Sequence, residues 1–387
     1  MKTAPIYLDY QAHTPVDPRV LEALVAAFSS VDWNPHSQHA HGAAARDAVE
    51  KAREQVGNLI GTRPSEIIFT SGATESNNLA FAGVCGHLRA LGRTRILVSA
   101  GEHPSVLAAA ARCERSGFTV GRIPLLADGQ ADLAALGAAL DESVGLVSFM
   151  AANHELGVVY PLESIGALCR RAGALLHSDL SQAAGTIRTS VEHLDLASFS
   201  SHKLYGPAGI GALFVRRLLR PKLEPQMLGG GQESGARAGT LPAPLCVAFG
   251  EACALARQEI DRDGERIGGL RDRLLARLLE ISGARLNGAV GPRLPGNINI
   301  GFDGVDAEAL LIAVKDRISI SSGSACTSAR LEPSHVLLAT GLSEREAEQS
   351  VRIGLGRWTT ADEVDTAADV LTVAVSSLRN TLWRREA

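Results

Sequence analysis

A lysine suited to covalent chemistry stands at the end of an apolar run. Leu196 to Phe199 has the pattern of a buried strand, and Ser200, His202 and Lys203 follow it just before a Gly-Pro turn. Burial is costly for lysine, so a lysine at the end of a buried strand usually has a task. A lowered pKa lets the amine form a Schiff base or act as a base. With an anion site beside it, the pattern indicates pyridoxal phosphate; a surface lysine next to a turn is the alternative.

Three further polar segments follow apolar runs. Ser71 to Thr74 joins a predicted strand to a helix, where small residues and the helix dipole favour a bound phosphate. Asp179 ends another run and could pair with a protonated pyridine nitrogen. His103 could lie on the cofactor ring and move protons. The alternatives are a simple helix cap for Ser71 to Thr74, a helix cap or a structural ion pair for Asp179, and a satisfied cleft histidine for His103. Asn153 and Gln182 are suited to bind the ring hydroxyl or a substrate carboxylate.

Two residues near the C-terminal end of the chain complete the candidate chemistry. Arg352 lies in an apolar run and needs an anionic partner, which is either a substrate α-carboxylate or a structural salt bridge. Cys326 lies among small polar residues from Ser321 to Ser328, which predicts an exposed, mobile loop. An exposed thiol is a liability unless it reacts, although an incidental loop cysteine is the alternative.

Composition limits the other functions that the chain could have. Its 387 residues are enough for a large core and predict two domains, and its net charge of -4 gives no general basic field for nucleic acid. No apolar run is long enough to cross a membrane and no signal peptide is recognisable, so we expect a cytoplasmic protein. Cysteine spacing indicates neither a zinc site nor a disulfide framework. Three histidines between His36 and His41 lack further ligands at metal-binding spacing, so no metal is expected.

The elements that must position these residues form two groups. From about residue 66 to residue 215, apolar strands alternate with helices, which predicts a mainly parallel sheet covered on both faces. Ligands bind at the carboxyl ends of such strands, and five strand ends carry the polar residues named above. After about residue 258 the pattern changes to a smaller α+β arrangement. We therefore expect a large domain over 16–258 and a small domain from 1–15 and 259–387.

With these residues in hand, the chain resembles the cysteine desulfurases, which are pyridoxal-phosphate-dependent members of the class V aminotransferase family. The resemblance runs almost from end to end and is carried by these motifs: Tyr7 to Tyr10, Thr70 to Ser76, Glu102-His103, Asn153 with Glu155 to Val158, His177 to Gln182, Ser200 to Pro207, Arg237 to Pro242, and Ser321 to Ser328. The last motif is similar to that of the group with a long catalytic loop.

The resemblance implies a fold type I homodimer, with a mainly parallel seven-stranded sheet in its large domain and active sites at the interface. It implies the cofactor as an aldimine on Lys203, Cys326 as the sulfur acceptor and Arg352 as the ligand of the substrate carboxylate. Thr240 would come from the other subunit. The remaining cofactor contacts that it implies are Ala73, Thr74, His103, Asn153, Asp179, Gln182, Ser200 and His202.

The implied reaction converts L-cysteine to L-alanine and leaves the sulfur as a persulfide on Cys326. An acceptor protein would then take the sulfur for iron–sulfur cluster assembly, tRNA thiolation or DNA phosphorothioation, without direct contact to nucleic acid. The alternatives are a selenocysteine lyase, another class V enzyme, or an inactive scaffold of the same fold. Four positions depart from the expected pattern, and they are expected to tune the cleft: His13, His154, Ser201 and Ala238.

Overall fold

The structure is a computed structural model and describes residues 4–322 and 333–386. Cys326 and its neighbours from 323 to 332 lie outside the described residues. The helices are α1 Pro18–Ser30, α2 Ala40–Ile60, α3 Ala73–Ala90, α4 Pro104–Arg115, α5 Leu133–Ala139, α6 Leu162–Ala172, α7 Ala243–Leu279, α8 Ala307–Val314, α9 His335–Ala339, α10 Glu344–Glu348 and α11 Ala361–Glu386. The strands are β1 Ile6–Tyr7, β2 Ile67–Thr70, β3 Arg95–Ser99, β4 Thr119–Ile123, β5 Val144–Ser148, β6 Leu175–Asp179, β7 Leu196–Ser200, β8 Gly211–Val215, β9 Ala284–Leu286, β10 Asn297–Phe302, β11 Ile318–Ser319, β12 Ser321–Ser322 and β13 Ser350–Gly354.

The central element is a seven-stranded sheet with the order β2-β8-β7-β6-β5-β3-β4. The pairs from β7 through β6, β5 and β3 to β4 are parallel, whereas β8 is antiparallel to both of its neighbours. The predicted mainly parallel sheet and the fold type I class are therefore confirmed. The parallel direction brings the carboxyl ends of β3, β5, β6 and β7 to one edge, where the polar residues stand.

Alternation of side chains explains why this sheet is buried on both faces. Ile68 packs in one hydrophobic cluster and its neighbour Phe69 in another, since successive strand residues point to opposite faces. Leu146 and Val147 divide between the same two clusters. A strand that is buried on both faces needs an unbroken apolar sequence, which is the pattern seen in these segments.

The remaining named strands form two smaller sheets. β12, β13, β10 and β9 form an antiparallel sheet in that order, and β1 pairs in parallel with β11. Leu8 from the N-terminal segment packs with Ile300 and Val351 of this sheet and with Leu371 of α11 in a third hydrophobic cluster. The described part of the N-terminal segment thus packs against the C-terminal part of the chain.

Helix α7 differs from the prediction. The sequence pattern suggests a boundary near residue 258 and a separate helix over 266–281, but one continuous helix spans Ala243–Leu279. Its first half packs in the cluster that contains Phe249, and its second half packs with Leu274 in the cluster of the smaller sheet. Glycines inside a helix cost only about 1 kcal/mol each, so packing at both ends outweighs them. The division into two domains stays a prediction.

Side-chain caps start several helices where the sequence carries the signals. Asp17 accepts a hydrogen bond from the Arg19 amide at 3.0 Å and precedes Pro18, and Thr360 and Glu363 form a capping box. Across residues 4–322 and 333–386, no helix has the length and apolarity to cross a membrane, and no cluster of histidine, cysteine or acidic residues is arranged to hold a metal.

Candidate active site

The carboxyl ends of the central strands meet in a cleft of about 410 Å³. This volume lies within the range of roughly 300–1,000 Å³ that is common for small-molecule sites. Both groups of elements contribute to its walls, since Gln11 comes from the N-terminal segment and Arg352 from β13. The other lining residues with predicted roles are Ala73, Thr74, His103, Asp179, Gln182, Ser200, His202 and Lys203.

Lys203 is held by a short 3-10 turn, Ser201–Lys203, that directly follows β7. Its Nζ donates hydrogen bonds to the carbonyl oxygens of Gln11 and Ala12, the latter at 2.8 Å. The amide of Gln182 donates to the same Gln11 oxygen at 3.0 Å. The N-terminal loop is therefore the backbone that orients the lysine. Sequence reasoning missed this contact, because a carbonyl acceptor leaves no signal in residue type.

The N-terminus of α3 forms one end of the cleft. Gly72 caps this helix with a φ of 151°, and a Cβ atom there would lie 3.5 Å from the hydroxyl of Ser200. That hydroxyl is 2.7 Å from His202 Nδ1. Burial, the charge of Lys203 and the neighbouring His13 lower the pKa of His202 to about 4. The space between the helix end and Ser200 is thus lined by small groups and hydrogen-bonding side chains, as a phosphate site requires.

Asp179 ends β6 on the wall of the cleft. Its two carboxylate oxygens accept hydrogen bonds from the Ser181 amide at 2.9 Å and from Asn77 Nδ2 at 2.8 Å. Burial alone would raise the pKa of Asp179, but the nearby His103 and these hydrogen bonds together lower it. The carboxylate therefore stays charged in a buried place. Asn77 was missed in the sequence, although a buried asparagine on an otherwise apolar helix face is a usable signal.

His103 is both a lining residue and the N-cap of α4. Its Nδ1 accepts a hydrogen bond from the Ser105 amide at 3.1 Å and lies 2.8 Å from the Ser105 hydroxyl. Burial, followed by the neighbouring His154, lowers the pKa of His103 to about 4. The ring is therefore a neutral imidazole at neutral pH. His103 therefore caps α4 and lines the cleft at the same time.

Arg352 forms a structural ion pair, which is one of the two alternatives that the sequence left undecided. Arg352 Nη2 lies 2.9 Å from Asp9 Oδ1 and 3.0 Å from the Ser321 hydroxyl, and Arg352 Nη1 donates a hydrogen bond to the His154 carbonyl at 3.0 Å. Its Nε is buried without a hydrogen-bond partner in the described part of the chain. Arg352 also lines the cleft, so the ion pair holds the guanidinium in place there.

Asn153 and Thr240 occupy different surroundings. Asn153 is fully buried, and its side chain bonds the carbonyl of Gly101 and the amides of Glu155 and Leu156. It therefore orders the turn after β5, and a role as ligand stays a prediction. Thr240 is exposed and is not among the residues that line this cleft. Its predicted place in the site of a second subunit likewise stays a prediction.

Two buried glutamates beneath the cleft were not predicted to have a role. Burial raises the pKa of Glu102 to about 8, and nearby Asp179 adds to this effect. Its carboxyl accepts a hydrogen bond from the Ser148 hydroxyl at 2.9 Å. Burial also raises the pKa of Glu155 to about 7, although the Ser334 hydroxyl donates to it at 2.5 Å. Glu102 therefore keeps its proton at neutral pH, whereas Glu155 is only partly protonated there.

Comparison with known proteins agrees with this geometry. Residues 6–366 match the family described as "Aminotransferase class-V". The chain is 46% identical to cysteine desulfurase IscS of Rickettsia massiliae, over 98% of this chain and 94% of that protein. The solved structure of a NifS-like protein has a TM-score of 0.90 at 33% identity and covers 96% of this chain and 99% of its own. A structure of SspA in complex with cysteine has a TM-score of 0.81 at 34% identity and covers 92% and 100%.

These similarities extend over nearly the whole chain. The chain therefore belongs to the aminotransferase class-V family and, within it, to the cysteine desulfurases. This confirms the family that the sequence motifs indicate. The assignment to the group with a long catalytic loop depends mainly on residues 323–328. These residues lie outside the described part of the chain, so the assignment stays a prediction.

Proposed function

We propose that this protein is a pyridoxal-phosphate-dependent enzyme that converts L-cysteine to L-alanine and takes the sulfur as a persulfide on Cys326. The observation that carries the proposal is the cleft itself. It brings the amine of Lys203, the charged carboxylate of Asp179 and the N-terminus of α3 to one edge of the sheet. An amine, an anion and a phosphate-type helix end in one cleft match the aldehyde, the pyridine nitrogen and the phosphate of this cofactor.

The residues present fit the cofactor at each of these groups. Lys203 would hold the aldehyde carbon, and Asp179 would hold a protonated pyridine nitrogen because its own pKa is lowered. The phosphate would be held by Ala73, Thr74, Ser200 and His202. A Cβ atom at position 72 would contact the Ser200 hydroxyl and would therefore reduce the space for the phosphate. We assign Gln182 and Asn153 to the ring hydroxyl side, with Asn153 acting through the turn that it orders. When bound, the cofactor supplies an electron sink for charge at the substrate Cα.

The substrate is expected to bind through its carboxylate and to react at its sulfur. Arg352 is prepositioned by Asp9 for a charge-assisted contact to the carboxylate, and the similar SspA structure is one that contains cysteine. Lys203 is the base that takes the Cα proton, since its Nζ lies in the cleft under two carbonyl acceptors. His103 is the neighbouring imidazole, which we assign to ring contact and proton handling.

Sulfur transfer balances with Cys326 as the acceptor. The thiolate of Cys326 attacks the sulfur of L-cysteine and forms a sulfur–sulfur bond while the carbon–sulfur bond breaks. The electron pair of the broken bond stays with the carbon skeleton, Cβ takes up a proton, and the proton that was removed from Cα is returned to it. The products are L-alanine and Cys326 as a persulfide, and no external oxidant or reductant is needed. An acceptor protein then attacks the outer sulfur, for iron–sulfur cluster assembly or for thiolation of tRNA or DNA phosphorothioation.

We propose a homodimer as the working form. Three large apolar side chains of α1 are exposed at spacings that share one helix face, Leu21 at 51%, Val25 at 59% and Phe28 at 55%. Leu228, twelve residues before Thr240, is 85% exposed. A second copy would cover such apolar groups and would allow Thr240 to reach the partner's cofactor. No contact with nucleic acid or membrane is proposed.

A cytoplasmic location is the proposal that best fits the thiols. The described cysteines are free and buried, and the sulfur atoms of Cys85 and Cys113 lie 3.6 Å apart as hydrogen-bonded thiols and not as a disulfide. Thiols of this kind persist in a reducing compartment. The small domain that we propose consists of residues 1–15 and 259–387 and would carry Cys326.

The decisive experiment is the intact mass of the protein after brief exposure to L-cysteine without reductant. The unchanged protein should gain one sulfur atom, mapped to Cys326, and should release alanine. Cys326→Ala should gain none and should stop after binding substrate, whereas the matched variant Cys169→Ala should behave like the unchanged protein. Alanine formed without an adduct on Cys326 would point to a lyase that releases sulfide directly. No alanine from protein that holds its cofactor would indicate an inactive scaffold.

A further inference from the structure

His154 is a cleft residue without an assigned role, and it lies against His103. The two imidazole rings meet edge to face, with 5.3 Å between their centroids and 69° between their planes. His154 is 8% exposed, lines the same cleft as His103, and offers its backbone carbonyl to Arg352. The second ring therefore covers an edge of the first that would otherwise face water.

The nitrogens of these two rings are used in different ways. His103 Nδ1 accepts the Ser105 amide hydrogen bond, so the neutral ring carries its proton on Nε2. A proton on Nδ1 would break this helix cap. His154 Nδ1 is buried without a hydrogen-bond partner in the described residues, and its Nε2 is 3.5 Å from Glu155 Oε1. His154 thus fills space beside His103 and offers it no hydrogen bond that would stabilise a charged ring.

The charges around His103 come from several elements. Asp179 on β6 favours a positive His103, whereas His154, Lys203 and His335 oppose one. Burial is the largest effect on the pKa of His103 and exceeds each of these. Arg352 on β13 acts on His154 in the same direction as burial does, and keeps that ring uncharged as well. The amount of water that reaches His103 therefore decides its charge.

We propose that His154 is a positioning residue for the reaction, because its ring excludes water from His103 and keeps that imidazole neutral and capped on α4. This inference rests on the proposed function, in which His103 lies against a cofactor whose pyridine nitrogen is protonated. A neutral imidazole avoids repulsion with that nitrogen and presents its Nε2–H group as a donor. A charged imidazole would compete with the cofactor for Asp179.

The test is the titration of His103 in the dimeric holoenzyme, followed by NMR of histidines labelled at the ring Cε1 carbon. The chain has 11 histidines, so the signals can be resolved, and His103→Gln assigns the signal of interest. In the unchanged protein this signal should stay constant from about pH 8 to about pH 5.5, because the pKa lies near 4. In His154→Asn, a smaller side chain admits water, and the midpoint should rise by about one pH unit or more toward the ordinary value.

A second variant separates coverage by the ring from its charge. His154→Phe keeps the aromatic surface against His103 and cannot titrate, so its His103 signal should stay constant as in the unchanged protein. His154→Ala provides a second small side chain if His154→Asn loses its cofactor, as judged by the cofactor absorbance. When alanine production is measured against pH, the loss of activity at low pH should move to a higher pH in the variants with small side chains. It should stay in place in His154→Phe.

Two results would overturn the proposal. A His103 signal that is unmoved in both small variants would show that His154 does not control it. An equal shift in His154→Phe and His154→Asn would show that the covering ring is not the cause. The titration needs no turnover, so either result can be separated from a failure of the desulfurase function, which the sulfur adduct on Cys326 tests by itself.

Discussion

The two ends of the cleft are built in different ways. At the end formed by the central sheet, His103 and Asp179 each accept a hydrogen bond from an amide two residues away, that of Ser105 and that of Ser181. At the end formed by the smaller sheet, Arg352 bonds Asp9 across 343 positions of sequence, and it bonds the His154 carbonyl across 198. Apart from the long-range contacts of Lys203 and Asn77, the first end is organised locally, whereas the second is organised only by the folded chain.

This difference has a physical origin in the cofactor and the substrate that each end is proposed to bind. Backbone amides at strand ends and helix starts suit a phosphate and a ring that remain bound. A substrate carboxylate that enters and leaves is better held by a single strong cation, and a buried cation needs a partner such as Asp9. We therefore expect changes at the sheet end to remove cofactor chemistry, and changes at the other end to weaken substrate binding.

The largest effect is expected at the sheet end for Lys203→Ala. Loss of the amine removes both the covalent link to the cofactor and the proposed base, so alanine production should fall by at least about 10⁴-fold. Cofactor absorbance and alanine release after gel filtration measure the two effects. Lys51→Ala on the exposed face of α2 is the matched control and should keep full activity. Activity retained in Lys203→Ala would move the covalent site elsewhere.

A smaller effect, confined to substrate binding, is expected for Arg352→Gln. The lost charge-assisted contact should raise KM for L-cysteine by about 10- to 100-fold, while the cofactor stays bound. Steady-state kinetics together with cofactor absorbance measure this separation. Asn77→Ala is the comparison at the sheet end: it removes one of the two hydrogen bonds to Asp179 and should weaken cofactor retention while leaving KM nearly unchanged. Equal effects of both variants on KM would erase the distinction between the two ends.

The smallest effect concerns stability, and it comes from Glu102 beneath the sheet end. Its folded pKa of about 8 lies above the ordinary 4.5, so the folded protein holds a proton that the unfolded chain releases. Stability from this group is therefore complete below about pH 4.5 and is lost as the pH rises through about 8. Glu102→Gln should match the unchanged protein near pH 5 and exceed it near pH 9, by urea unfolding. Exposed Glu163→Gln is the control, and a parallel dependence in both variants would contradict the assignment.

Much of the end of the cleft that the central sheet forms was predictable from the sequence. The apolar strands, the polar residues after them and the caps at Asp17 and Thr360 follow from residue type and spacing. The family followed from the motifs and is confirmed. By contrast, the sequence pattern changes near residue 258, whereas helix α7 runs through that position without interruption because it packs on two separate clusters.

The sequence by itself determined the class of sheet, the lysine and the polar strand ends, since each depends on neighbours along the chain. Only the tertiary structure decided that Gln11 and Ala12 orient Lys203, that Asp9 holds Arg352 and that His154 covers His103. These contacts join segments far apart in sequence, and two of them involve backbone carbonyls. Hydrophobic packing brings such segments together without leaving a mark in either segment alone.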